Sequence, residues 1–144
     1  MALPRADDRI TTTRSFWLGV AAYLLPTFPI AYVWHLVLFA PAYEALRVYR
    51  PDPVIAFGFA SMVMQGVIFS LIYPRLFRER GRAVLRPGLT YGLALVALSW
   101  SFTTLAVAAK NVMTSIPLYL QLETGFTVLQ FVIVGPLIAW AYRN

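Results

Sequence analysis

IPLYLQLETGFTVLQFVIVGPLIAWAY, residues 116–142, carries one formal charge, Glu123, in a run otherwise apolar enough to be lost in hydrocarbon. A helix rises ~1.5 Å per residue, so ~20 residues cross a ~30 Å bilayer core, and this run exceeds that length. It predicts a transmembrane helix. Working outward, three further runs of the same kind occupy residues 15–40, 54–73 and 89–109. The chain therefore reads as an all-α integral membrane protein, one membrane domain over residues 1–144 built as a four-transmembrane-helix bundle.

Composition points the same way. Of the 144 residues, 60% are hydrophobic and only 12% charged, against about 25% charged in soluble domains. The mean hydropathy is +0.69. A water-soluble fold is excluded, and the joints are too short to hold a separate catalytic or receptor domain. Function has to lie between the helices or on the faces they offer to partners. Cysteine is absent, which removes disulfides, thiolate chemistry and cysteine-ligated metal or iron–sulfur sites together. An Ala40-Pro41-Ala42 tripeptide follows the first run like a signal-peptide cleavage site. That run is too long for a signal h-region and its leader carries Asp7 and Asp8, so it is read as a spanning helix.

The net charge of +6 would suggest nucleic acid in a soluble protein, but here the cations sort by side. Arg5, Arg9, Arg14, Arg75, Arg78, Arg80, Arg82, Arg86 and Arg143 fall on one side of a four-span topology, and Arg47, Arg50 and Lys110 on the other. The positive-inside rule then puts both termini in the cytoplasm, with the inner membrane as location. The bilayer is the expected partner and nucleic acid is not. Tyrosine and tryptophan fill interfacial positions, among them Trp17, Tyr73, Trp34, Tyr43 and Tyr119. Trp100 is the exception, near mid-span, where its indole N–H requires an acceptor.

Local signals refine the plan. Pro26 and Pro29 each remove a backbone hydrogen bond from the first helix and predict a kink there. In the joint 41–53, Tyr43, Leu46 and Arg50 recur at helical spacing, which predicts a short helix at headgroup level capping one end of the bundle. Gly88 and Gly92 begin the third helix with the GxxxG spacing that allows close helix approach. Met62 to Ile68 and Thr127 to Ile133 share Val, Gln, Val and Ile at an offset of 65, which raises two parallel two-helix repeats and pairs Gln65 with Gln130 near the midplane.

The ionisable groups inside the spans carry the functional reading, because a charge in hydrocarbon costs a few kcal/mol and needs a partner, a cavity or a purpose. Glu123 aligns with Thr127 and Gln130 on one helical face, and His35 lies at similar depth in the first helix. The expectation is a His35–Glu123 contact above a Gln65/Gln130 pair, with Thr127 and Trp100 completing a ligand-binding set. Such a group would bind or translocate a small solute or a proton. Catalytic residues are not expected, since no nucleophile or second acid is well placed, and a non-enzyme is favoured. Neither metal nor cofactor is expected: one histidine and one intramembrane glutamate are too few ligands, and bis-histidine haem is impossible with a single histidine.

The alternative is a non-catalytic accessory or scaffold subunit of a larger membrane complex. A homo-oligomer or a membrane-protein partner, and a small-molecule ligand, are the expected partners. Inward convergence around Glu123 and Gln65 would favour the pocket, whereas an outward stripe through Gly88 and Gly92 would favour docking.

Overall fold

The computed structural model describes residues 14–77 and 83–143. Arg5, Asp7, Asp8, Arg9, Arg78, Arg80 and Arg82, on which part of the charge argument rests, lie outside the described residues. Among those described, all regular structure is helical: α1 (Arg14–Val33), α2 (Ala40–Leu46), α3 (Ile55–Leu76), α4 (Leu85–Ser99), α5 (Ala106–Lys110) and α6 (Ile116–Ala141). A π-helical segment, Trp34–Leu38, prolongs α1, and a second, Trp100–Leu105, joins α4 to α5. Four continuous helices result, Arg14–Leu38, Ile55–Leu76, Leu85–Lys110 and Ile116–Ala141, each long and apolar enough to cross a membrane.

Most boundaries fall within a few residues of the expected ones, and the differences have local causes. The third helix starts at Leu85 rather than after the Pro-Gly pair, because Pro87 falls in the first turn, where its missing N–H has no intrahelical partner to lose. At the start of α6, Ser115 Oγ accepts from the Leu118 N–H at 3.4 Å and Pro117 occupies the first turn. α1 stays α-helical through Pro26 and Pro29, and the departure comes a turn later, where the Phe39 N–H reaches back five residues to Trp34 O at 3.1 Å. The short helix α2 ends at Leu46, since Arg47 turns left-handed (φ 56°, ψ 25°), so Arg50 is not part of it.

Packing is uneven along the bundle. α6 is the most buried long helix and lies between α1 and α4, while α3 rests on α1 and barely touches α6. The α1–α6 contact therefore has no counterpart of similar extent between α3 and α4. α4 and α6 cross backbone to backbone: a Cβ added at Gly92 would collide with the Phe131 carbonyl, and one at Gly88 would lie 2.5 Å from Pro136 Cα. At this end, which holds both termini, Tyr23, Phe69, Tyr73, Tyr91, Phe131 and Tyr142 interlock. Tyr91 and Tyr142 donate to Phe69 O (2.8 Å) and Ser70 O (2.6 Å), tying α4 and the end of α6 to α3.

Towards the opposite end α3 has no buried residue before Gly66. There the bundle is closed by α2 instead, whose Tyr43 and Leu46 pack on Tyr119 and Leu122 of α6. Thr114 holds the connector before α6 to α2, its N–H on Leu46 O (3.2 Å) and its hydroxyl on Ala45 O (2.9 Å).

Candidate functional site

Glu123 is 5% exposed on the face of α6 that meets the π segment of α1 and the underside of α2. Its Oε1 accepts hydrogen bonds from Tyr43 Oη and Tyr49 Oη, both at 2.8 Å, and lies 3.3 Å from His35 Nε2. His35 Nδ1 is 3.0 Å from Ala31 O. A carbonyl only accepts, so Nδ1 carries a hydrogen. Two phenols donate into this one Glu123 oxygen, which acts as the acceptor at the centre of the group. His35 Nε2 and this oxygen stand at ion-pair distance, long for a hydrogen bond, and the pair is charged when the imidazole is protonated. No other ion pair is present among the described residues.

Aromatic rings fix the imidazole in this geometry. Phe126 meets it edge-on at 4.5 Å between centroids, and Tyr43 lies 4.8 Å away on another side, itself stacked on Tyr49 at 5.2 Å. Burial, and then the negative charge of Glu123, push the Tyr43 and Tyr49 hydroxyls far above the ordinary tyrosine value. Both stay neutral and remain donors. The left-handed Arg47 makes this arrangement possible by reversing the chain after α2, so that Tyr49 folds back beside Tyr43.

A second polar group lies deeper, around Tyr23 of α1. Its hydroxyl donates to Gln65 Oε1 of α3 and accepts from Gln130 Nε2 of α6 at 3.3 Å. Gln130 Nε2 also reaches Thr27 Oγ1 at 3.4 Å, and Gln65 Nε2 donates to Ser61 Oγ at 3.1 Å. Gln65 and Gln130 thus converge on one tyrosine hydroxyl. Thr127 is buried between the two groups on the same face of α6.

Comparison of the chain with family models, with curated proteins and with solved structures finds no match. Function therefore has to be argued from this geometry.

Beside the upper group lies a cavity of about 1010 Å³ between the end of α1, the stretch from α2 to Val54, and the first half of α3. Of the six residues expected to bind a ligand, His35 alone lines it. Glu123 sits directly behind His35, Tyr43 and Tyr49, while Gln65, Gln130 and Thr127 lie outside the cavity lining. Trp100 faces elsewhere, its Nε1 donating to Thr124 Oγ1 at 2.9 Å. That bond supplies the acceptor its indole requires.

Sequence reasoning overlooked Tyr23, Tyr43 and Tyr49 as site residues, having read tyrosine as an interfacial anchor. The available signal for Tyr43 and Tyr49 was a pair of tyrosines next to the joint nearest Glu123 in depth. Tyr23, near the middle of a span, was the stronger clue, since a phenol in hydrocarbon needs a partner just as Trp100 does.

Proposed function

We propose that this chain is a four-span inner-membrane protein, both termini cytoplasmic, that binds a small ligand in the cavity between α1, α2 and α3. The His35–Glu123 pair forms the proton-carrying part of its wall. One observation carries the reading: the intramembrane ion pair is placed at the edge of the large cavity, with His35 in the wall and Glu123 one layer behind. A pair that served only to join helices would have no reason to border open space, and intramembrane ionisable groups characteristically mark solute or proton sites. The size matches the upper range of small-molecule pockets, ~300–1,000 Å³.

The orientation rests on the cation distribution, with Arg14, Arg75, Arg86 and Arg143 at the end holding the termini. The docking alternative loses its main support, because Gly88 and Gly92 pack inward on α6 and offer no outward stripe.

Native mass spectrometry of the protein extracted from its own membranes in mild detergent tests this reading. A retained adduct that disappears when Gly58, a cavity-lining residue with nothing within 4 Å of its Cβ position, is replaced by tryptophan is the expected result. A stoichiometric complex with other proteins and no such adduct would make the chain an accessory subunit.

A further inference from the structure

The cavity has two chemically distinct ends. Arg47, Arg50 and Glu44 line it within the connector between the first two long helices. Below them the wall is apolar, with Phe28 of α1 and Phe59 and Met62 of α3 its deepest lining residues. Neither arginine has a carboxylate within ion-pair distance among the described residues, so both guanidinium groups are unneutralised at the mouth. Arg47 is also the single non-glycine residue with positive φ among those described, at a helix end where glycine or asparagine is usual. A backbone outlier of this kind points to a side chain held in place for use.

The depth of the apolar part is informative. From Ile55 to Met62 along α3 is ~10 Å, and from Leu38 back to Phe28 along α1 is ~15 Å, at ~1.5 Å per residue. The ~30 Å hydrocarbon core has two leaflets, so the cavity reaches as deep as one of them. The charge of the mouth is matched in the same way. Among the side chains that line the mouth, Asp52 of the same connector lying outside the lining, two guanidiniums and one carboxylate leave a single positive charge, which a phosphodiester neutralises, and guanidinium donors match phosphate oxygens in pairs.

We infer that the cavity is a site for one anionic phospholipid, its phosphodiester between Arg47 and Arg50 and one acyl chain lying between α1 and α3 down to Met62. This rests on the reading of the cavity as a binding site and names its ligand class. His35 then sits beside the upper part of the bound chain, and Glu44 rejects a second negative group on the headgroup.

The test is native mass spectrometry of the full chain in detergent with added phosphatidylglycerol or phosphatidylcholine of the same acyl chains. Wild type should retain phosphatidylglycerol about tenfold better, the scale of a lost charge-assisted contact. Arg47→Ala with Arg50→Ala should erase that preference, lowering phosphatidylglycerol retention more than that of phosphatidylcholine, whose phosphodiester is offset by its own choline. Lys110→Ala, a cation outside the cavity, should keep the preference. If the double alanine variant loses its helicity, Arg47→Lys with Arg50→Lys, which keeps charge without paired donors, should retain an intermediate preference. Gly58→Trp should abolish retention of both lipids. Equal retention of the two lipids by wild type, or a preference untouched by either double variant, overturns the headgroup assignment while leaving the cavity a binding site. Retention unaffected by Gly58→Trp overturns the binding reading itself. Displacement of phosphatidylglycerol by excess inorganic phosphate would identify a free phosphate, not a lipid, as the occupant.

Discussion

The two ends of the bundle are held by opposite means. At the end bearing the termini, glycines bring α4 and α6 backbone to backbone and buried tyrosines fill the remaining space. At the other end α3 buries no residue, and closure falls to α2 and to hydrogen bonds converging on Glu123. Dense packing is intolerant of added volume and supplies rigidity. A polar network with a cavity beside it is less dense and can change charge. The difference separates an end packed backbone to backbone from one held by a polar network, within a chain of one composition.

Adding volume is the sharpest way to break the comparison. Gly92→Leu should cost ~3 kcal/mol or more, because the side chain would meet the α6 backbone, which cannot give way as a flexible side chain does. Gly58→Leu, with open space at its Cβ, should stay within ~0.5 kcal/mol. Thermal unfolding in detergent followed by circular dichroism would compare them, and equal losses would mean the two ends are packed alike.

Removing the charge from the network comes next. Glu123→Gln should cost ~2 kcal/mol, the scale of hydrogen bonds to a charged group. It should also change the ring signals of His35, whose Nε2 lies 3.3 Å from the carboxylate. As the chain has one histidine, ¹⁵N signals of its ring are unambiguous, and the Nε2 signal should differ between parent and variant. Identical spectra would sink the ion pair.

Alkaline titration probes the same end. Tyr43 ionises at 10.0 when unfolded and well above that when folded, so the folded state keeps a proton that the unfolded state releases. Its contribution is fully present below pH 10 and is lost as pH rises beyond it, at ~1.4 kcal/mol per pH unit for one proton. Tyr43→Phe should flatten the fall in stability above pH 10 by about that slope. A slope unchanged by the substitution would show that the hydroxyl is not protected.

The smallest effect is expected between the two ends. Tyr23→Phe removes the donor to Gln65 and an acceptor for Gln130. Interhelical hydrogen bonds in membranes average ~0.6 kcal/mol, so ~1 kcal/mol is expected for the pair in the same unfolding assay. A loss as large as that of Gly92→Leu would make the Tyr23 group, not the glycine crossing, the centre of the scaffold.

Legibility followed the same division. The four long helices were evident because hydrophobic length is a property of a segment by itself, and residues 116–142 state it without reference to any other part of the chain. The approach of His35 to Glu123 was anticipated from matching depths, and depth too is counted along one helix at a time. Azimuth is not. Whether Gln65 meets Gln130 directly or through Tyr23 depends on how α1 is rotated between α3 and α6, and Trp100 at the right depth points to Thr124 because its helix presents a different face. The reach of Tyr49 back to Glu123 follows a chain reversal at Arg47, a residue with no turn propensity to announce it.

The sequence by itself determined the number of long apolar helices, their order, the acid and base within them, and the glycines able to form a close crossing. Each of these follows from local composition and from the fixed rise of a helix. Only the tertiary structure decided that α4 and α6 use that crossing, that α3 buries no residue over its first half, and that a cavity lies beside His35. Helix pairing is a competition among several apolar faces of nearly equal hydrophobicity. Its outcome depends on which pair of backbones can approach most closely, and that is a relation between segments that no single segment contains.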